Sequence, residues 1–322
     1  MTNAQSVVSF YHFTRLANPR EFGETVRVKA ASLKLLGTAI VAPEGLNATF
    51  CGASQALQDL LAWIGVQPGF EPLKGRWSQA AGTPFRRLRI KYRDEIVSMG
   101  FAHVNPADGQ GEHVNAEQWH ALLDDPNTLV IDTRNDYEIE IGSFPGAVNP
   151  RTTNFREFAD FVARDVEADK DRPVAMFCTG GIRCEKATAV MRERGFSNLY
   201  QLDGGILTYL DEVAQTPSIE SRWEGECFVF DARVAVDDSL TPGAYVQCHG
   251  CRRALSADDT TQPEYEPGIC CARCFDTISD QQRVQFEERR RQVALADARG
   301  EAHIGAVYPD PVVKPENDQD SG

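Results

Sequence analysis

The stretch from residue 174 to 194 constrains the chain more than any other. A short apolar run, Val174–Phe177, stops at Cys178. Thr179, Gly180 and Gly181 then make a tight turn, and after Ile182 a helical pattern opens at Arg183 and runs to Gly195. A buried strand feeding a glycine-rich turn and then a helix aims several backbone N–H groups at one point. Cys178 occupies that point. The helix N-terminus and Arg183 both favour its thiolate, so the sulfur is expected to be a nucleophile at neutral pH. A cysteine in a β–α turn is often only a small buried hydrophobe, but two glycines and an arginine favour the reactive reading. Cys184, one turn inside the helix, is a candidate resolving thiol or a packed core position.

The chain has 322 residues, enough for two or three domains, and its 42% hydrophobic content suffices for packed cores. No stretch approaches the ~20 apolar residues of a membrane span. Residues 1–6 are polar, and the run at 7–13 is broken by Ser9 and His12. Without the blocks of a signal peptide, a cytoplasmic protein with no membrane partner is expected. Nine cysteines then read as thiols and metal ligands rather than disulfides. The formal net charge of −14 disfavours indiscriminate nucleic-acid binding, but a local basic face would still admit RNA.

Residues 7–100 read as a small α/β unit. A strand at 7–13 precedes a helix capped by Asn18-Pro19 and ended by Gly37 after Leu36. Two β-rich segments, 38–42 and 46–50, flank the Pro43-Glu44-Gly45 turn. Ser54 is the expected cap of a helix through Ile64, with Leu57, Leu60, Leu61 and Ile64 on one face. Residues 85–97 return to strand, and 66–84 carry no clear signal. This β-α-β-β-α-β order predicts a ferredoxin-like sandwich. In the last strand, alternation sends Leu88, Ile90 and Tyr92 to one face and Arg87, Arg89, Lys91 and Arg93 to the other. Such a row is either a phosphate-backbone footprint or a solvated face balanced by Asp94 and Glu95.

Residues 105–111 read as a flexible linker. Beyond it Asn115 caps a helix through Leu123, strands are expected at 128–132, 174–177 and 198–202, and helices at 151–168 and 206–213. Repeated β-then-α implies a parallel sheet covered on both faces, with the reactive turn at the carboxyl ends of its strands. Further on, Cys248-His249-Gly250-Cys251 and Cys271-Ala272-Arg273-Cys274 form two Cys-x2-Cys knuckles with nineteen residues between them. Cys248, Cys251, Cys271 and Cys274 have the spacing of a closed, structural zinc site. Reduced thiols without metal remain the other reading, and His249, Cys270 or Cys227 are alternative ligands. A helix at 279–300 is cationic through Arg283, Arg289, Arg290, Arg291 and Arg299, tempered by acids. The acidic stretch 309–322 reads as disordered.

The loop Cys178-Thr179-Gly180-Gly181-Ile182-Arg183 resembles the active-site loop of the rhodanese family, whose cysteine carries sulfur as a persulfide. Related phosphatases have a loop one residue longer, so the resemblance implies sulfur-centred chemistry. Val130-Ile131-Asp132-Thr133-Arg134, Glu138 and Gly142-Ser143-Phe144-Pro145-Gly146-Ala147 form a second match. By that likeness Asp132 and Arg134 are a structural ion pair; Glu138 and Glu140 read as facing solvent, with acids in the cleft as the other reading. Glu44-Gly45-Leu46-Asn47-Ala48-Thr49, Glu95-Ile96-Val97-Ser98-Met99-Gly100 and Cys227-Phe228-Val229-Phe230-Asp231 extend the likeness. Over residues 7–308 the chain resembles the rhodanese-containing tRNA uridine hydroxylases.

The resemblance implies a ferredoxin-like domain at 1–104, a rhodanese domain at 105–220 and a Cys-rich extension with a basic helix at 221–308. It implies an oxidoreductase that uses molecular oxygen to make 5-hydroxyuridine at the wobble position, 34, of tRNA. The sequence carries no flavin or nicotinamide fingerprint and no two-His-one-carboxylate iron motif, and it does not name the electron donor. Cys178 adding to C6 of uracil, with the loop N–H groups of residues 179–183 stabilising negative charge, is the expected chemistry. A sulfurtransferase acting through a Cys178 persulfide, and a non-catalytic zinc and RNA adaptor, are the competing readings.

Overall fold

The computed structural model describes residues 5–80, 85, 87–230 and 233–299. The acidic stretch 309–322 and Asp231 lie outside them. The first unit comprises β1 (Gln5–Phe13), α1 (Pro19–Ser32), β2 (Leu36–Ala42), β3 (Gly45–Gly52), α2 (Ser54–Gly65), β4 (Arg76–Ala80) and β5 (Leu88–Tyr92). Its sheet has the order β4-β1-β3-β2-β5, antiparallel except where β5 runs parallel to β2. Alternation puts Val8, Phe10, Ala39, Val41, Ala48 and Phe50 on one face, where Leu57, Leu60, Leu61 and Ile64 of α2 complete the core. The first six elements, β1 to β4 with sheet order β4-β1-β3-β2, are the ferredoxin-like sandwich, and β5, expected to be its last strand, is an added edge strand beside β2.

The fourth strand of the sandwich, β4, fills the segment without a clear signal. It pairs with residues 5–9 of β1. Three expected boundaries shift. Helix α1 stops at Ser32, because Lys34 turns left-handed (φ 57°) and the Leu35 N–H donates back to the Ala30 carbonyl, 3.0 Å. Gly37 instead lies in β2, where a Cβ would stand 2.2 Å from the Thr49 carbonyl oxygen. Ala53, with no capping side chain, precedes α2, and Ser54 is its first residue. The strand expected at 85–97 ends at Tyr92, since Glu95 folds its carboxylate onto the N–H groups of Met99, Gly100 and Phe101.

The second unit contains β6 (Glu112–Val114), α3 (Ala116–Asp124), β7 (Leu129–Asp132), α4 (Asp136–Ile139), β8 (Gly142–Ser143), α5 (Phe158–Phe161), β9 (Val174–Phe177), α6 (Ile182–Glu193), β10 (Leu199–Leu202) and α7 (Gly205–Gln215). Four parallel strands run in the order β6-β10-β9-β7. Both faces of β9 are buried. Val174 and Met176 join the core under α5 and α6, and Ala175 and Phe177 join the one under α3 and α7. The helix expected over 151–168 is confined to 155–166 and finishes in a π turn, Val162–Val166.

Residues 105–111 are a packed turn rather than a flexible spacer. The Asn105 side chain caps the turn Pro106–Asp108, Pro106 is buried, and a Cβ on Gly111 would meet Thr188 at 2.8 Å. Val97, Met99, Phe101 and Val104, placed by the sequence in the first unit, put their apolar surface on the core of the second.

Beyond α7 come short ladders: β11 (Glu224–Gly225) on β8, β12 (Cys227–Phe228) with β13 (Ala235–Val236), and β14 (Val246–Gln247) with β15 (Ala254–Leu255). The last element is α8 (Asp280–Ala298). Among the described residues no helix is long and apolar enough to cross a membrane.

Candidate active site

Cys178 directly follows β9, and Gly181, with φ of 93°, is the residue before α6. The Gly181 N–H donates to Cys178 Sγ, 3.1 Å. The loop is fastened from behind by α7, whose Ile206 and Leu207 N–H groups donate to the carbonyls of Cys178 (2.9 Å) and Thr179 (3.2 Å). The Thr179 hydroxyl reaches the Phe228 carbonyl at 3.4 Å. Burial alone would raise the Cys178 thiol. A hydrogen bond from Cys184, the charge of Arg183 and the N–H groups of Arg183 and Gly180 outweigh it and hold the thiol well below its ordinary value. Cys184 is fully buried. Burial and the Cys178 anion push its thiol well up, so it serves as the donor of the pair.

Arg183 does not stand free beside the sulfur. Its two terminal nitrogens each lie 2.7 Å from a carboxylate oxygen of Glu138. Glu138, expected to face solvent, is fully buried, and burial, which would raise its carboxyl, loses to Arg183, leaving it lowered. Its Oε2 also accepts the Asn135 N–H, 3.1 Å, half of a capping box. The Asn135-x-x-Glu138 spacing was the available signal; the burial was not readable. Asp132 and Arg134 form a fully buried pair, Nη2 to Oδ2 2.7 Å, and Arg134 continues to the Gly142 carbonyl at 2.6 Å. That geometry ties β7 to β8, and Arg134 Nη1 also donates to the Glu138 carbonyl, 3.4 Å.

The first unit supplies groups that the sequence did not single out. The Tyr11 hydroxyl donates to Glu185 Oε1 of α6, 2.7 Å. A Cβ on Gly181 would stand 2.7 Å from that hydroxyl, and one on Gly180 would stand 3.3 Å from Arg76 Nη1. Arg76, from β4, also donates to the Gly204 carbonyl (2.6 Å) and Thr208 Oγ1 (2.9 Å). Burial raises both the Tyr11 hydroxyl and the Glu185 carboxyl. Ile182 packs against Phe13, Ala42 and Ile96. The cysteine loop therefore lies at the seam of the two units.

Arg87, Arg89, Lys91 and Arg93 are exposed, and Leu88, Ile90 and Tyr92 pack inward. Glu95 does not balance them, being buried on backbone N–H groups and Lys186. Register places Lys91 opposite Ile40, Ile40 opposite Asn47 and Asn47 opposite Tyr11. Lys91 and Tyr11 thus share one cross-strand row and one sheet face, about 14 Å apart at three strand spacings.

In the extension, Cys248, Cys251, Cys271 and Cys274 bring their sulfurs within 4.8 Å of one another. The alternative ligands point elsewhere. His249 packs its ring on Phe286 (4.7 Å between centroids), Cys270 faces the Glu264 carbonyl (3.7 Å), and Cys227 lies in the core under α7. Glu140 is exposed, as expected, and its carboxylate pairs with both Arg253 and Arg273.

A family model described as the UPF0176 acylphosphatase-like domain matches residues 5–96, and the rhodanese-like domain matches residues 115–212. Among solved structures, the rhodanese-like domain of the Alr3790 protein from Anabaena sp. is 19% identical, covering 35% of this chain and 78% of that one, with a TM-score of 0.29. An acylphosphatase from Coxiella burnetii is 17% identical over 28% of this chain and 94% of its own, TM-score 0.23. A rhodanese-related protein from Thermoplasma volcanium is 20% identical over 31% and 92%, TM-score 0.25.

Proposed function

We propose that this chain, which by its domain order belongs to the UPF0176 family of rhodanese-containing tRNA hydroxylases, converts wobble uridine 34 of tRNA to 5-hydroxyuridine. The rhodanese domain makes it an enzyme of the catalytic-cysteine kind; the hydroxylase assignment is our reading. One observation carries it. The open face of the first sheet runs from the cations of β5 to Tyr11, whose hydroxyl meets Glu185 on the helix that leaves the Cys178 loop. A phosphate backbone lying on Arg89 and Lys91 would run along the sheet face that leads to the seam holding the Cys178 loop.

In the proposed reaction Cys178 Sγ forms a bond to uracil C6, and the electron pair of the C5–C6 bond moves to C5 and O4. The loop N–H groups and Arg183 stabilise that charge. C5 takes one atom of molecular oxygen, and the other leaves as water at the expense of two electrons from an external reductant and two protons. Loss of the C5 proton and expulsion of the thiolate restore the ring. Tyr11 and Glu185 are the titratable pair at the seam suited to carry that proton.

Nucleoside mass spectrometry of tRNA tests this. Cells lacking the protein should lose the uridine heavier by one oxygen, wild type should restore it and Cys178→Ser should not; restoration by Cys178→Ser rejects the nucleophile. A sulfurtransferase is the second reading, favoured by the loop itself. It predicts thiosulfate-dependent transfer to cyanide without RNA. A zinc and RNA adaptor predicts that Cys178 is dispensable.

A further inference from the structure

The segment around the four knuckle cysteines, within the Cys-rich extension, has little apolar material of its own. Its buried cluster contains Leu255 and Ile269, and every other buried member is a cysteine. A module this small needs a crosslink or a metal to hold its shape. Sulfur separations distinguish the two. Cys248 and Cys274 are 3.7 Å apart, Cys251 and Cys271 3.7 Å, and Cys271 and Cys274 4.0 Å. A disulfide would require about 2.05 Å. A tetrahedron with Zn–S bonds of about 2.3 Å has edges of about 3.8 Å, close to what is observed. The Cys271 N–H points at Cys274 Sγ, 3.4 Å.

The module is also joined to the active site. Arg253, two residues after Cys251, and Arg273, between Cys271 and Cys274, both reach Glu140 Oε1, Arg273 at 2.7 Å. Glu140 directly follows α4, which carries Glu138, and Glu138 holds Arg183 beside Cys178.

We infer that Cys248, Cys251, Cys271 and Cys274 bind one structural zinc ion, and that the loaded knuckle positions the Glu138–Arg183 pair through the Arg253–Glu140–Arg273 bridge. Binding exchanges thiol protons for the metal and involves no redox step. Glu140, Arg253 and Arg273 are positioning residues and touch neither sulfur nor substrate. The zinc assignment stands apart from the hydroxylase reading, and the bridge requires only that Cys178 be a thiolate.

The test uses the full-length protein. Elemental mass spectrometry should find one zinc per chain, lost in Cys251→Ser and Cys271→Ser. The midpoint of the pH profile for Cys178 alkylation by iodoacetamide, followed by peptide mass spectrometry, should move up by about one unit in those variants, slowing alkylation by about tenfold at a pH below the wild-type midpoint. Glu140→Gln should slow alkylation similarly while retaining zinc, which separates the bridge from loss of folding. No bound metal, paired disulfides among the four cysteines, or iron in place of zinc would overturn the site. Unchanged alkylation in Glu140→Gln would overturn the bridge.

Discussion

The ammonium of Lys186 lies 3.3 Å from Glu95 Oε1 and also contacts Glu44, with all three side chains at most 6% exposed. Lys186 belongs to α6, and both carboxylates belong to the chain's first hundred residues. A third contact, 2.7 Å to the Val104 carbonyl, completes its coordination. Lys186→Met would leave two carboxylates buried without their cation, and removing one partner of such a group costs about 3–5 kcal/mol. Denaturant unfolding should show that loss, with partial recovery in Lys186→Met/Glu44→Gln. A wild-type midpoint for Lys186→Met would mean that the cluster contributes nothing to stability.

Arg183 is held by two hydrogen bonds, a geometry lysine cannot reproduce. In wild type the Cys178 thiol is lowered, so its alkylation rate should stay flat as pH falls through the range where an ordinary thiol, near about 8.5, loses its anion. Arg183→Met should move that midpoint upward, and Arg183→Lys should fall between. Rate-versus-pH profiles by stopped-flow decide it.

Gly181 sits at φ of 93° with the Tyr11 hydroxyl where a methyl would go. Gly181→Ala should therefore abolish uridine modification, through backbone strain of roughly 1–3 kcal/mol together with the clash. Pairing it with Tyr11→Phe should relieve the steric part alone. Full activity of Gly181→Ala in the nucleoside assay would show that the tight seam is not needed.

His113 Nδ1 lies 2.9 Å from Asp203 Oδ1. The hydrogen bond to Asp203 raises His113, and the one from His113 lowers Asp203. Stability from the raised histidine is full below its unfolded value, about 6.5, and is lost as pH rises through its folded value. Stability from the lowered aspartate is present above about 3.9 and is lost as pH falls through its folded value. His113→Gln should thus lose most stability in the weakly acidic window between these, by under about 1 kcal/mol because both groups are partly solvated. Equal losses at acidic and alkaline pH would remove the ion pair from the explanation.

Lys91→Glu and Arg89→Glu should weaken tRNA binding and make log affinity fall less steeply with log salt, by about one unit of slope for each phosphate left without its cation. The matching substitution at exposed Lys34, on the turn after α1, should do neither. Salt titrations in which Lys91→Glu tracks wild type would move the RNA to another face.

What the sequence made legible was local. A strand, two glycines, an arginine and a sulfur within ten positions define the loop without outside help, and paired knuckles announce their own convergence. β4 was hidden because Arg76-Trp77-Ser78-Gln79-Ala80 has no apolar alternation strong enough to mark a strand, and its partner β1 lies about seventy residues earlier. Tyr11 read as one aromatic in a strand, and only the fold brings it to Glu185, 174 residues away. Glu138 looked solvated for a related reason. Acidic residues usually are, and the cation that keeps this one inside comes from another element. Gly37 misled because glycine both stops helices and allows close backbone approach, and here the second need placed it.

Met99 is interred in the second unit's core with Val97, Phe101 and Val104 against it, although the chain reaches them straight from the first sheet. A rhodanese module grafted in from another protein would arrive without this borrowed flooring. A truncation after residue 104 should therefore leave these side chains uncovered and yield a sticky, poorly soluble fragment rather than a smaller enzyme.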